Sequence, residues 1–386
     1  MNDSSYINDE ESLFLCIRQA ELTTNISTNP WPLIHCFRGP QTQDLKTTLF
    51  VTIISCVIFL TGLLGNLIVC VVIIKHKSLH NPTEYYLLNL AVSDLILLIF
   101  GLPYDVSLYW HQYPWTLGDL LCKTRALISE TATYVSLLTV VAFSTERYLA
   151  ICHPLYTIAI TNLQRSMRII FCIWIVSLLC AIPFACYSGV DFIKYPFESD
   201  TIIPQSGLCA MIYQPDFIPL AEISTIVFFF LPLVIIILQY IKMGIVIRKT
   251  TKRGYFAEEG MTGAVLIRNN RQMRQRYNVV KMLSFVVFGF FICWCPFHTQ
   301  RILSTYMIGS PRFEEVNYWL YITSGVFYYF SPTLNPILYN LMSEKMRLAS
   351  KQIICGYRTG TRYSRGSYVK SDLSNISSFN FNRNTD

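Results

Sequence analysis

The sequence predicts an all-α membrane protein: a seven-transmembrane helix bundle followed by a short amphipathic eighth helix. Three observations carry this. Of 386 residues, 52% are hydrophobic and 14% charged, against about 25% charged in a typical soluble domain, and the mean hydropathy is +0.38. A water-soluble fold of this size has no way to hide so much apolar surface, so lipid must be part of its solvent. Seven apolar stretches fill most of residues 48–341, each matching the roughly 20 residues that cross a hydrocarbon layer as a helix. Finally, charge is sorted between the segments that connect them.

The elements follow in order. Residues 1–47 are a polar tail, with six acids and three bases over 1–46. It has no apolar core and no cleavage-like site, so no cleavable signal peptide is expected. Sequons begin at Asn2 and Asn25 and are glycosylation candidates. Spans are expected near 48–75, 83–109, 119–152, 166–187, 217–248, 279–306 and 316–341, making 48–341 one bundle. Between spans five and six, Lys242 to Lys281 holds ten Lys/Arg and two acids, and 250–275 reads as a flexible basic loop. Residues 342–355 begin Ser343-Glu344-Lys345-Met346-Arg347-Leu348, an amphipathic stretch suited to the membrane surface. Cys355 ends it and is a palmitoylation candidate, an unmodified thiol being the other reading. Residues 356–386, rich in Ser, Thr, Asn and Tyr, are expected to be disordered.

Lys75 and Lys77 in the first linker, Arg165 and Arg168 before span four, and eight Lys/Arg against three acids in 343–386 complete the basic side. Basic loops stay cytoplasmic. The N-terminus is therefore expected outside, the C-terminus inside, and the whole in the plasma membrane. A third sequon at Asn375 falls on the inside and is expected to stay unmodified. The basic runs lie beside the membrane without aromatic stacking partners, so nucleic acid is not an expected partner. Of thirteen Cys, several (Cys56, Cys70, Cys172, Cys180, Cys293) lie within spans as small hydrophobes. No Cys or His cluster has metal-ligand spacing. Cys16, Cys36, Cys122 and Cys209 fall on the oxidising side, where pairing is expected.

Ionisable and amide groups at membrane depth are costly and mark function. Glu146-Arg147-Tyr148 ends the third span, Asp94 sits inside the second, and Asn335-Pro336-Ile337-Leu338-Tyr339 ends the seventh. With Gly65-Asn66, Asn89-Leu90-Ala91-Val92-Ser93-Asp94, Cys122, Trp174, Pro232 with Tyr240, and Cys293-Trp294-Cys295-Pro296, these marks stand one per span and in order. Over roughly 48–355 the chain resembles the rhodopsin-like G-protein-coupled receptors. Within them, Pro82-Thr83-Glu84-Tyr85-Tyr86-Leu87, Gly101-Leu102-Pro103, Trp110-His111-Gln112-Tyr113-Pro114, Glu130, Phe297-His298 and Ser324-Gly325-Val326-Phe327-Tyr328-Tyr329 resemble the neuromedin U, pyrokinin and CAPA peptide receptors.

The resemblance implies a receptor for short peptides ending in an amidated Pro-Arg-X, coupled to a heterotrimeric G protein of the G-q class, and bound by arrestin once its tail is phosphorylated. Glu130 is the expected partner of the ligand arginine, with Asp105 second. Arg301 either pairs with Glu130 in the empty receptor or holds a ligand carbonyl, and a purely structural Glu130–Arg301 bridge is the plainer reading. Trp115, Tyr134, Phe297, His298 and Tyr328 are expected to line the same pocket, each being an ordinary packing residue otherwise. Asp94, Ser136 and Asn335 would hold an allosteric sodium ion. The alternative is a protonated, hydrogen-bonded Asp94, which Ser331-Pro332 favours by replacing the usual polar-small pair before Asn335. No other cofactor is implied. Arg147 would be restrained at rest beside Glu146 and turn toward Tyr240 and Tyr339 on activation, with Phe290, Trp294 and Pro296 as a hinge. Cys122 would pair with Cys209, and Cys16 with Cys36.

Other classes fit less well. A transporter would show internal repeats and paired broken helices. A retinal sensor needs a lysine within 316–341, and an amine receptor an aspartate where Ser129 stands. No nucleophile, phosphate-loop or metal motif suggests an enzyme. A receptor for an unrelated peptide shares every mark and is the main alternative.

Overall fold

The computed structural model describes residues 4–154, 162–197, 199–212, 218–256, 263–307, 313–342 and 344–355. Asn2, Asn375 and the tail 356–386 lie outside them.

Local signals start and stop the helices. Asp44 caps α3 (Leu45–Lys75), its carboxylate accepting from the amides of Lys46 and Thr47 at 3.2 and 3.3 Å. Asn81 caps α4 (Pro82–Phe100), whose first residue is proline, a position where the missing N–H costs nothing. Gly101 and Pro103 separate α4 from α5 (Leu102–Trp110), so the second span is two stacked helices. α6 (Gly118–Cys152) runs unbroken for 35 residues. Asn162 caps α7 (Leu163–Tyr187) by accepting from Gln164 and Arg165. The fifth span comprises α8 (Leu220–Thr225), a π-helical turn (Ile226–Phe230) and α9 (Leu231–Phe256). α10 (Gly263–Tyr306) and α11 (Phe313–Met342) follow, then α12 (Glu344–Cys355). The described residues of the basic stretch 250–275 are helical, where the sequence predicts a flexible loop: α9 extends to Phe256 and α10 begins at Gly263. Residues 268–275 hold three arginines and two glutamines, which are good helix formers.

By length and composition, five helical segments among the described residues are apolar enough to cross a membrane: Leu45–Lys75, Pro82–Trp110, Gly118–Cys152, Leu163–Tyr187 and Leu220–Thr250. Burial supports lipid as the solvent. On α3, Phe50, Ile53, Val57, Leu60 and Leu64 are all more than half exposed, while Ser55 and Asn66 are buried. A helix with its polar groups inside and its leucines outside is stable only in hydrocarbon. One apolar core, including Ile58, Leu90, Val140, Phe184, Phe229, Trp294 and Tyr339, joins α3, α4, α6, α7, the fifth span, α10 and α11.

Prolines and their neighbours fit each other. Pro336 cannot donate to the carbonyl of Pro332, four residues earlier. Asn66 of α3 supplies the donor instead, its Nδ2 lying 3.0 Å from that oxygen. The approach requires Gly65, because a Cβ there would meet Pro336 at 2.9 Å. Trp174 on α7 donates to Asn89 at 2.8 Å, and Asn89 donates to Thr139 at 2.7 Å, tying α4, α6 and α7.

One end of the bundle is lidded. Strands β1 (Ser188–Asp191) and β2 (Leu208–Met211) form an antiparallel hairpin, and the Cys122–Cys209 disulfide fixes β2 to the start of α6. The N-terminal tail is not featureless. It folds as α1 (Ser4–Thr23) and α2 (Trp31–Arg38), joined by the Cys16–Cys36 disulfide. Gly39, at φ +71°, ends α2. Leu33 and Ile34 are fully buried against Tyr113, Ile193 and Ile203, so this segment has a small core of its own on the lid. At the opposite end α12 lies against α3, with His76 and Gln352 hydrogen-bonded at 2.8 Å.

Candidate functional site

A cavity of about 270 Å³ opens beneath the hairpin, between α5, α6, α10 and α11. Glu130 projects from α6 and Arg301 from α10, five residues beyond Pro296. They meet as a bidentate pair: Nη2 donates to Oε1 at 2.7 Å and Nη1 to Oε2 at 3.3 Å. Both side chains are largely buried, at 15% and 18% exposure. The guanidinium also lies over the Phe184 ring at 4.3 Å. Losing one member of such a pair strands the other, a cost of about 3–5 kcal/mol.

A second pair lines the same cavity. Asp105 accepts from the Tyr329 hydroxyl at 2.6 Å and faces Arg125 at 3.5 Å, whose guanidinium sits 4.0 Å over the Tyr104 ring. Each of these two carboxylates is thus matched by an arginine of the protein. Phe297 and Tyr328 stack at 4.9 Å in the wall.

Three expected lining residues lie elsewhere. Trp115 packs edge-on to Tyr104 and donates to the Gly118 carbonyl at 2.8 Å, so it braces the loop before α6. Tyr134 stacks on Phe228 at 3.8 Å and bonds Ser224, which buries it between α6 and the fifth span. His298 is buried against Phe229, with Nδ1 3.2 Å from the Thr225 hydroxyl. Each faces a neighbouring helix because that neighbour offers an aromatic or hydroxyl partner. Sequence reasoning missed Arg125, Gln300, Tyr109 and Tyr321 in the wall. Arg125 carried a legible signal, an arginine five residues before Glu130 on one span.

Below the cavity Trp294 stacks on Phe290 at 5.3 Å and meets Tyr328 edge-on at 5.1 Å. Its indole N–H donates to Ser331 at 3.1 Å. The pocket wall and the Pro296 helix are therefore in direct contact. Deeper still, Asp94 is 2% exposed and accepts from Ser136 at 3.3 Å and Asn335 at 2.8 Å. Ser93 and Ser136 hydroxyls are 2.9 Å apart. These partners are neutral, hard oxygen-bearing groups around one carboxylate, a donor set suited to a hard cation.

At the end opposite the lid, Glu146 pairs with Arg165 of α7 at 3.7 Å. Arg147 hydrogen-bonds Thr83 on α4 and lies 5.9 Å over Phe143. Among the described residues it makes no hydrogen bond to Tyr240 or Tyr339. Tyr148 rests edge-on against His153. Asn25 is exposed. The side chain of Cys355 lies outside the described residues.

The pattern has known counterparts. The model of the 7 transmembrane receptor (rhodopsin family) matches residues 65–339. The chain is 33% identical over 365 residues to the pyrokinin-1 receptor of Drosophila melanogaster, covering 82% of each. It is 34% identical over 320 residues to neuromedin-U receptor 2 of Mus musculus, covering 82% of this chain and 77% of that one. With the neuromedin U receptor homolog nmur-2 of Caenorhabditis elegans it shares 35% over 341 residues, 82% of each. A sequence match across such a length, together with the motifs placed above, makes this chain a member of the rhodopsin family of seven-transmembrane receptors, and a receptor rather than an enzyme.

Proposed function

We propose that the protein is a G-protein-coupled receptor for an extracellular amidated neuropeptide of the Pro-Arg-X-amide type. The carrying observation is the buried Glu130–Arg301 pair in the cavity wall. An amidated C-terminus has no carboxylate, so the cationic arginine of such a peptide seeks an acid. Glu130 offers a geometry already shaped for a guanidinium, because it holds one now. The ligand arginine takes the place of Arg301, which turns to a ligand carbonyl. Planar bidentate recognition favours arginine over lysine. The names of the relatives, pyrokinin and neuromedin U receptors, support the same ligand class.

The lidded end then faces outward in the plasma membrane, where its disulfides persist and Asn2 and Asn25 are open to glycosylation. The basic end meets a G protein of the G-q class and, after tail phosphorylation, arrestin. α12 lies on the inner membrane surface, anchored by a palmitoyl group on Cys355. Ligand contact with Phe297 and Tyr328 reaches Trp294 and the Pro296 hinge, and Arg147 leaves Thr83 for Tyr240 and Tyr339. Asp94, Ser136 and Asn335 hold a sodium ion, which supplies the positive charge their own side chains lack.

Calcium release in cells expressing the chain tests this. The panel sets Pro-Arg-X-amides beside a Pro-Lys-X-amide and unrelated amidated peptides. A selective low-dose response to Pro-Arg-X-amides is expected. Responses only to an unrelated peptide, with surface expression confirmed, would replace the ligand assignment.

A further inference from the structure

We propose that the groove between α6 and α7, at the end of the bundle opposite the lid, binds one phospholipid with an anionic headgroup. Only the leaflet that supplies it rests on the orientation proposed above, in which this end meets the cytoplasm.

The groove is a cavity of about 510 Å³. Arg168 and Val176 in its wall are exposed, so it opens on the outer face of the bundle and not into the core. Its lining is sorted by position along α7. Asn162, Arg165 and Arg168 stand where the helix begins. Ile169, Ile173 and Val176 follow, with Leu138 of α6 opposite them. Offsets of three and four residues put Arg165 and these apolar side chains on one stripe of the helix. Residues 168–176 span about 12 Å at 1.5 Å each, so a charged mouth grades into an apolar slot. That is the layout of a phospholipid, with its phosphate at the interface and its chain in hydrocarbon. Snorkelling accounts for arginines at a helix end, but not for the slot beneath them.

The charge at the mouth is unbalanced among the described residues. Arg165 Nη2 is 3.7 Å from Glu146 Oε1, longer than a hydrogen bond. Arg168 donates through Nε to the Gln164 carbonyl at 3.4 Å and, among the described residues, has no ion pair. Two guanidinium forks therefore meet one loosely held carboxylate, and planar forks suit the oxygens of a phosphodiester. Basic side chains at the cytoplasmic surface attract anionic lipids in the same way. A second copy of the chain fits poorly, because a two-fold contact centred here would set Arg165 and Arg168 against their own counterparts. Arg165 also carries the site inward. A bound phosphate competes for it with Glu146, the neighbour of Arg147.

The test uses the full-length receptor in phosphatidylcholine vesicles. A trace of phosphatidylserine with a diazirine in its acyl chain is added to both leaflets, or phosphatidylcholine carrying the same chain. With probe in both leaflets, the outcome does not depend on orientation. After illumination, labelled peptides are mapped by mass spectrometry. Label on residues 169–176 should be about 10-fold greater from the serine lipid. Label on the exposed face of α3, at Phe50, Ile53 and Val57, should be equal for the two probes. Arg168→Gln should cut the preference several-fold, and Arg165→Gln/Arg168→Gln should abolish it. Arg168 is exposed, so the single variant decides the question even where the double variant fails to fold. Equal labelling by the two probes, the same preference on α3, or a preference unchanged in Arg168→Gln would overturn the proposal. So would loss of the label to an equal concentration of soluble glycerophosphoserine, which has the headgroup without the chain.

Discussion

The bundle treats its buried carboxylates in two different ways. Near the lid, Glu130 and Asp105 are each paired directly with an arginine of the protein in the wall of an open cavity. In the middle, among the described residues, Asp94 accepts hydrogen bonds from neutral groups, Ser136 and Asn335. Burying a carboxylate is expensive unless a cation or proton accompanies it. The upper site already contains its cations, and the proposed ligand arginine would take the place of one of them. At the lower site the counter-charge is proposed to be a sodium ion, a proton on Asp94 being the alternative. The proposed ligand pocket and the proposed ion pocket thus differ in whether a described arginine faces the carboxylate.

The largest effect should come from unbalancing the upper pair. Glu130→Gln should lower the response to a Pro-Arg-X-amide by about 100-fold, roughly 3 kcal/mol, while surface expression falls far less. Equal loss of response and expression in a dose–response and flow-cytometry comparison would make Glu130 structural. Arg301→Ala strands a buried carboxylate and should lower thermal stability in detergent by about 3 kcal/mol. The double variant Glu130→Gln/Arg301→Gln should recover that stability without recovering the response, separating the pair's two roles. At the lower site, Asp94→Asn should abolish the effect of sodium on agonist affinity; an unchanged sodium response removes the ion. Smallest is Asn66→Ala, which leaves the Pro332 carbonyl without its donor and should cost about 1–3 kcal/mol of stability, read as an earlier melting transition.

The spans were legible because hydrocarbon demands about 20 apolar residues in a row, and that needs no tertiary information. Asp94, Ser136 and Asn335 were legible too, since polar groups at membrane depth have few places to go. Trp115, Tyr134 and His298 were not: depth in the membrane can be read along a helix, but which neighbour a ring faces depends on helix rotation. Tyr134 turned to Phe228 and Ser224 rather than to the cavity. The π turn at Ile226–Phe230 alters that rotation without any marker in composition. Arg125 shows in the sequence as an arginine near Glu130, but its pairing with Asp105 on another span appears only once the helices are packed. The small core of the N-terminal segment was hidden for the same reason. Leu33 and Ile34 are buried against residues some 80–170 positions away.

Glu130 is proposed to receive a ligand guanidinium. A double-mutant binding cycle tests it most directly. The ligand's arginine is replaced by citrulline, its neutral isostere, and the receptor's Glu130 by glutamine. Citrulline should cost about 100-fold in affinity at the wild-type receptor and almost nothing further at Glu130→Gln, because the charge contact is already lost. Equal citrulline losses at the two receptors would place the ligand arginine elsewhere and contradict the account.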